Sequence, residues 1–288
     1  MNSINFSIMK NKWFKGVLLL MTGGIFLTSC YKSFDSKSYR PTFTVGGFAS
    51  SAEVGAGHLV GYWAFDGSYV DSVSGTLGTG VKTSFGPGFK GQALQGAEAG
   101  YVISALPAAI KNMKSFTIDF WINTPQNTNG IVAPLVITND NDFWGSLDMF
   151  YENGSTATSA NLKVHYGWTQ KNNWFTTAFL ANPWNAWQNI ALTYDAATST
   201  FNLYQGGSLV QGGTLTVDNL GAASFTPGAN NIVFGTEQFQ TDPSLGTAGG
   251  TQGWADYLRG QLDEVRIYDV ALSGSDLKSL IILQGKGK

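Results

Sequence analysis

The residues of this chain that could do chemistry are few, and Asp263 is the most pointed of them. It lies in Arg259–Leu272, RGQLDEVRIYDVAL, a stretch whose residues alternate between two classes. Leu262, Glu264, Arg266 and Tyr268 fall on one side of an extended strand, and Asp263, Val265 and Ile267 on the other. That period of two, carried by β-branched and aromatic residues, predicts a strand half-buried in a sheet. A carboxylate among apolar neighbours is costly unless a cation or hydrogen-bond donors meet it. Asp263 therefore marks a candidate metal position.

The other chemistry-bearing groups form no recognisable constellation. His58 and His165 are the two histidines. Neither belongs to an H-x-H or H-E-x-x-H pair, which argues against a zinc site or a histidine-based triad. Asp140, Asp142, Asp148 and Glu152 are close in sequence, in and just after TNDNDFWGSLDMFY (138–151). Asn139–Asp142 reads as a solvated turn, since it lacks the glycine and distal glutamate of an EF-hand loop.

Cys30 is the only cysteine among 288 residues, so no intramolecular disulfide can form. It follows a basic segment (Lys10, Lys12, Lys15) and the apolar run Val17–Leu27. That run is shorter than the roughly 20 residues a membrane-spanning helix needs and fits a secretory signal. Its end, Leu27-Thr28-Ser29-Cys30, resembles the lipobox of bacterial lipoproteins, which implies cleavage after residue 29 and acylation of Cys30. Of 17 basic and 19 acidic side chains, three lysines and no acid lie in residues 1–29, leaving a mature net charge of −5. Charged residues are 12% of the chain, about half the usual share. Together these argue against a nucleic-acid binder, which needs a basic patch.

These groups must be positioned by β structure. Residues 30–57, rich in Ser, Gly and Lys, read as a flexible tether, with a first strand at Thr42–Phe48 as the alternative. From His58 the signals become regular. Strands are expected at Leu59–Phe65, Gln92–Leu94, Tyr101–Ser104, Ser115–Asn123, Leu162–Gly167, Trp187–Tyr194, Thr200–Gln205 and Asn231–Gly235. Phe85–Gly91 (FGPGFKG) reads as a turn cluster. One helix is expected, over Ser273–Leu283, with Ser273 and Asp276 spaced as a capping box. About ten short strands without an internal repeat predict an all-β sandwich, residues 58–288.

Six segments carry a resemblance: GYWAFDG…DSVSG (61–75), GFKGQAL (88–94), SFTIDFWI (115–122), WQNIALTYD (187–195), TFNLYQGG (200–207) and RGQLDEVRIYDVALS (259–273). In this order they resemble a laminin-G-like domain of the concanavalin A-like lectin/glucanase superfamily, over about residues 58–284. The resemblance implies a jelly roll of two antiparallel sheets, one concave, with Trp63, Trp121 and Trp187 as packing residues. It also implies that the first and last strands lie close together, where a structural Ca²⁺ is often held. Asp66, Asp71 and Asp263 are the side chains implied for it, supplemented by backbone carbonyls between Gly67 and Gly75. Ordinary turn hydrogen bonds are the alternative use of those three acids. The superfamily's glucanases place their acids as Glu-x-Asp-x-x-Glu on one strand, and this chain has no such spacing.

Binding remains. Trp144, Trp168, Trp174, Trp184 and Trp254 lie outside the strands that match the family, near polar stretches such as Thr169–Asn173 and Thr236–Gln238. An aromatic ring with hydrogen-bonding neighbours suits a sugar, although large loops also use rings to close small cores of their own. Trp168 and Trp174, flanking Thr169–Asn173, are the first candidates. Two functions fit: non-catalytic binding of a polysaccharide or oligosaccharide by a lipoprotein of the bacterial cell envelope, lipid-anchored at the outer membrane, or an adhesion module that binds a protein partner. An unrecognised glycoside hydrolase is the third.

Metabolic labelling with a fatty acid tests the anchor. The wild-type protein is expected to take up label and Cys30→Ala to lose it; equal label in both removes Cys30 as the attachment site.

Overall fold

The computed structural model describes residues 43–153, 156–168, 178–225 and 227–288, and the backbone of 173–174. Among these, sixteen strands form two antiparallel layers. Sheet I runs β3 (Ser84–Pro87), β4 (Gln92–Gln95), β16 (Gln261–Tyr268), β6 (Phe116–Asn123), β12 (Gln188–Asp195), β13 (Thr200–Gln205) and β14 (Ser208–Thr216), with β1 (Leu59–Trp63) also paired to β16. Sheet II runs β2 (Thr79–Val81), β5 (Tyr101–Ala105), β15 (Asn231–Phe234), β7 (Val132–Ile137), β8 (Leu147–Tyr151), β9 (Ser159–Tyr166) and β11 (Ala178–Ala181), with β10 (Asn173–Trp174) on β9. β14 touches β11 at the single pair Phe179–Gln211 and so joins the layers along one edge. The first and last strands, β1 and β16, are neighbours, as the resemblance implies.

The alternation expected in β16 breaks in its middle. Its pairing with β6 slips between Asp263 and Arg266, and Glu264 takes a left-handed φ of 51°. This is a β-bulge: one extra residue reverses which side the following side chains take. Leu262, Val265 and Ile267 all enter the core between the sheets, whereas Asp263 lies opposite Trp121 on the outer face. Asp263 is thus not an acid set among Val265 and Ile267. It accepts hydrogen bonds from the backbone N–H groups of Lys90 (2.9 Å) and Glu264 (2.7 Å).

The core between the sheets is aromatic-rich. Trp63 is fully buried there, in edge contact with Phe234 at 5.2 Å. Trp121 and Trp187, expected beside it, are outside. Trp121 stacks on Phe89 at 3.5 Å and donates its indole N–H to Gln284 Oε1 at 2.9 Å, and Trp187 is half-buried against the edge of the same Phe89 ring.

A short helix, α1 (Ala108–Lys111), follows β5, and the long helix α2 (Gly274–Gly285) covers sheet I. Ser273 caps α2 and Asp276 reciprocates, the capping box the sequence predicts. Leu277, Leu280 and Leu283 pack on Ala191 and Tyr268 of the sheet. The tether expected over 30–57 is corrected for its second half. Val54 is buried in this same cluster, Val45 and Phe48 lie against it, and Ser51 N–H donates to the Lys288 carbonyl. Val45 and Phe48 pair across a two-glycine turn rather than in a strand, so three isolated apolar residues dock the segment without any periodicity.

Strands β7 (VAPLVI) and β8 (LDMFY) escaped sequence reading because every residue in both is buried. A strand covered on both faces has no alternation to show.

Ser273→Ala removes the α2 cap and is expected to cost about 1 kcal/mol. For a domain of this size that lowers the thermal midpoint by about 2–4 °C. An unchanged midpoint would mean that tertiary packing alone holds the helix start.

Candidate functional site

Sheet II turns Asp148, Phe150 and His165 away from the core, together with Tyr101, Val136 and Val233. This outer face is closed by a strap, residues 236–257, that crosses it between β15 and β16. Polar side chains hold the strap. Gln238 donates to the carbonyls of Asn139 (3.1 Å), Asp142 (3.0 Å) and Phe143 (3.1 Å), and accepts from Asn139 N–H at 2.7 Å. Gln240 donates to Ala255 O at 2.9 Å, and Tyr257 OH donates to Gln240 O at 2.9 Å. Phe239 then reaches into an aromatic cluster with Phe143 (4.5 Å), Trp144 (5.3 Å) and Trp254 (5.1 Å). Thr236, Glu237 and Gln238, expected as surface partners for a sugar, are fully buried.

The five candidate tryptophans separate into different roles. Trp168 packs against the core between the sheets, touching Tyr166, Tyr194 and Phe225, and so presents no open ring at a rim. Trp184 is buried, donates to Thr156 O at 2.8 Å and packs on Tyr151 at 5.4 Å. Trp144 is half-buried in the strap cluster. The Trp174 side chain and residues 169–172 lie outside the described residues. Trp254 alone of the described four is substantially open, at 46% exposure, with its ring 5.8 Å from Trp144.

Beneath the strap lie charged groups that sequence reading did not bring together. Asp148 Oδ2 is 2.7 Å from His165 Nδ1, a cross-strand pair of β8 and β9, and Asp148 Oδ1 accepts from Gly145 N–H at 2.9 Å. Glu237, at the start of the strap, is fully buried and neither of its oxygens meets a hydrogen-bond donor. Burial pushes its carboxyl well above the usual range, and the neighbouring Asp148 carboxylate pushes it further. Both effects favour the protonated form of Glu237. Only the register of β8 on β9 juxtaposes Asp148 and His165, so no local motif announces the pair.

Beside the strap, two loops meet at the Ile131–Ala255 bridge. Asp256 N–H donates to Ile131 O at 2.8 Å and Ile131 N–H to Trp254 O at 3.1 Å. Between them opens a cleft of about 220 Å³, lined by residues 124–129 with Val132, Asp256, Tyr257 and Arg259. Trp254 joins this junction through its backbone carbonyl, while its ring packs on Phe143, Trp144 and Phe239 of the strap cluster.

Of the three implied calcium ligands, Asp66 and Asp263 meet at one turn, and Asp71 serves its own loop. Among the described residues, no three His, Cys, Asp or Glu side chains are grouped to hold a metal. Asp71 accepts from the N–H groups of Tyr62 (2.8 Å), Val73 (3.0 Å) and Ser74 (3.2 Å), and from Ser74 Oγ (2.5 Å), ordering its own loop. Asp66 accepts from Gln92 N–H at 2.6 Å. With Asp263 bonded to Lys90 N–H, Asp66 and Asp263 pin the GFKG turn, where a Cβ on Gly88 or Gly91 would strike one carboxylate or the other. Burial first, then repulsion from Glu264 and Asp66, raises Asp263 to about 7.

A buried carboxyl with a raised pKa favours the fold while protonated. Its contribution falls as pH rises from the unfolded value, near 4.3 for Glu, toward the folded one. Glu237→Gln keeps a neutral side chain at every pH. Its thermal midpoint is expected to fall less steeply than that of wild type between pH 5 and 8, and to lie above it at pH 8. Some slope remains from Asp119 and Asp263, both raised to about 7. Parallel profiles for the two proteins would show that Glu237 is ionised in the fold.

Similarity to known proteins agrees with this architecture. Among curated protein sequences none matches. Similar solved structures include the binding domain of Paraclostridial Mosquitocidal Protein 1 (15% identity, TM-score 0.55, covering 78% of this chain and 52% of that one). The binding domain of botulinum neurotoxin DC, in complex with rat synaptotagmin II, is similar at 12% identity and TM-score 0.54, over 78% and 51%. Botulinum neurotoxin type C, whose cell entry depends on two ganglioside molecules, matches at 14% and 0.56, over 81% and 52%. This chain spans about half the length of those structures, and at such identities the likeness is one of fold. The family described as concanavalin A-like lectin/glucanases matches residues 96–278, well over half the chain, and with the jelly roll in place the protein belongs to that superfamily.

Proposed function

We propose that this protein is a lectin-like module that binds glycans without cleaving them, tethered to the bacterial envelope through Cys30. The observation that carries the reading is Trp254, an open indole on the strap, two residues before Asp256 of a cleft lined mainly by uncharged hydrogen-bonding side chains. A ring face for sugar C–H groups and polar groups for hydroxyls is the pairing that carbohydrate requires. Cleavage is disfavoured because it would need two carboxylates flanking a bound substrate. Asp148 and Glu237 are fully buried under the strap, and Asp256 stands in the cleft with its charge engaged by Arg259. The structural neighbours include the botulinum proteins that engage gangliosides and a sialylated ligand, which fits the reading at the level of fold.

A second surface favours a protein partner. Phe179 and Leu209 are 47% and 54% exposed and line a groove of about 360 Å³ between β11 and β14. One neighbour is seen with synaptotagmin II.

Titration calorimetry against plant, algal and host polysaccharides separates the two readings. Glycan binding is expected in the micromolar to millimolar range, about −4 to −8 kcal/mol. Trp254→Ala should weaken it about two- to tenfold, the worth of one aromatic contact, with the melting curve intact. No binding to any polysaccharide, with a protein partner lost on Leu209→Asp, would establish the adhesion reading instead.

A further inference from the structure

The strap over sheet II closes on an acid that has no hydrogen-bond donor. Glu237 is fully buried, and both of its carboxyl oxygens lack a partner. The ionisable groups packed around it are few. Beneath it, β8 carries Asp148, β9 carries His165 and β5 carries Tyr101, while β7 and β15 carry none. The strap itself adds Asp242 and Asp256 and holds no Lys, Arg or His. The turn that Gln238 grips adds Asp140 and Asp142, whose carboxylates accept from Asn230 and from Phe143 N–H. The charge that acts on Glu237 is Asp148, and it has the same sign. The nearby imidazole is committed elsewhere, with His165 Nδ1 2.7 Å from Asp148 Oδ2. A carboxylate with no donor and a like charge beside it is costly to keep from water, and a neutral carboxyl much less so. Closure of the strap therefore favours a proton on Glu237.

The strap is also built to move without the sheets. Its one regular element is the short turn Gln238–Gln240, and its one β-bridge is Ile131–Ala255. Side chains make the remaining attachments. Gln238 holds the turn before β8, and the Tyr101 hydroxyl accepts from Asp242 N–H at 2.9 Å and donates to its carbonyl at 3.1 Å. A Cβ on Gly249, Gly250 or Gly253 would meet nothing within 4 Å, so the span before Trp254 is not packed down. Strands β7, β8 and β9 below it are tied by continuous ladders. A segment with few ladder bonds opens locally, at less cost than the whole fold.

We propose that the strap is a pH-operated latch, shut while Glu237 carries a proton and lifting from the outer face of sheet II as that proton is lost, with Asp148 as the neighbour that drives the release. Lifting parts Phe239 and Trp254 from Phe143 and Trp144 and bares Phe150 and His165. An aromatic face is thus hidden at lower pH and exposed at higher pH. The inference does not depend on glycan binding.

The direction follows from linkage. The closed strap is most stable below the open-state value of Glu237, near 4.3, and loses that stability as pH rises toward the closed-state value. Within that window one proton is released on opening, so the opening constant rises about tenfold per pH unit. Hydrogen exchange of the full chain, followed by mass spectrometry from pH 5 to 8 and corrected for the chemical exchange rate, reads this constant. Strap amides such as Gln240 and Leu245, bonded to the carbonyls of Glu237 and Gln238, are expected to exchange at least about tenfold faster than those of β6 and β12 at every pH. Their opening constant should climb with pH in wild type and stay flat in Glu237→Gln. Strap amides that exchange only in step with β6 and β12 overturn the latch, as does a pH-independent opening constant in wild type, and both outcomes are read without any variant. An equal climb in Glu237→Gln removes Glu237 as the controlling group and overturns the proposal as well.

Discussion

The bulge at Asp263–Glu264 is the constraint on which the rest of the structure depends. By inserting one residue into β16, it lets the strand send Leu262, Val265 and Ile267 to the core and Asp263, Arg266 and Tyr268 outward. Asp263 then pins the GFKG turn. Glu264 accepts from Arg266 at 2.8 Å and Tyr62 OH at 2.6 Å, and Gln284 approaches it from α2 at 3.4 Å. With Asn189 donating to Asp119 at 2.8 Å, these groups form a buried polar layer between sheet I and its helix. Such a layer adds little net stability compared with apolar packing, but breaking one partner leaves a charge stranded.

Both sheets are therefore covered on their outer faces, and by different means. Sheet I is closed by α2 and residues 45–54, largely through leucines over a polar layer. Sheet II is closed by the strap, through aromatic rings over the buried side chains of Asp148, His165 and Glu237. In each case ionisable groups lie under the cover, which is why three buried carboxyls are raised. The broad outer face of each sheet is thus occupied by the chain itself. The glycan reading proposed above therefore places binding at the rim, where the strap returns to the sheet and meets the loop after β6.

Much of the frame was legible in the chain. The capping box at Ser273, the span of β13 and the alternation that sends Phe116, Ile118, Phe120 and Ile122 of β6 into the core follow from local rules, because each depends on residues a few positions apart. The family motifs could be ordered for the same reason. The tryptophans show where that legibility ends. Trp168 and Trp254 sit in equally polar sequence surroundings, yet one packs on the core and the other stands open, since exposure depends on what the strap and neighbouring strands bring across.

The sequence alone thus determined an antiparallel sandwich with a capped terminal helix, through periodicity, turn residues and capping, all of which are local. Tertiary structure decided the face of Asp263, because a bulge is set by the register with β6. It also decided that Asp66 and Asp263 hold the GFKG turn together while Asp71 orders its own loop, since chain segments far apart in sequence set which donors each carboxylate meets. The pairing of Asp148 with His165 and Glu237, and the cleft at the Ile131–Ala255 bridge, arise where segments distant in sequence meet. No pattern within any one of those segments encodes the meeting, because long-range register and packing alone bring their groups to contact.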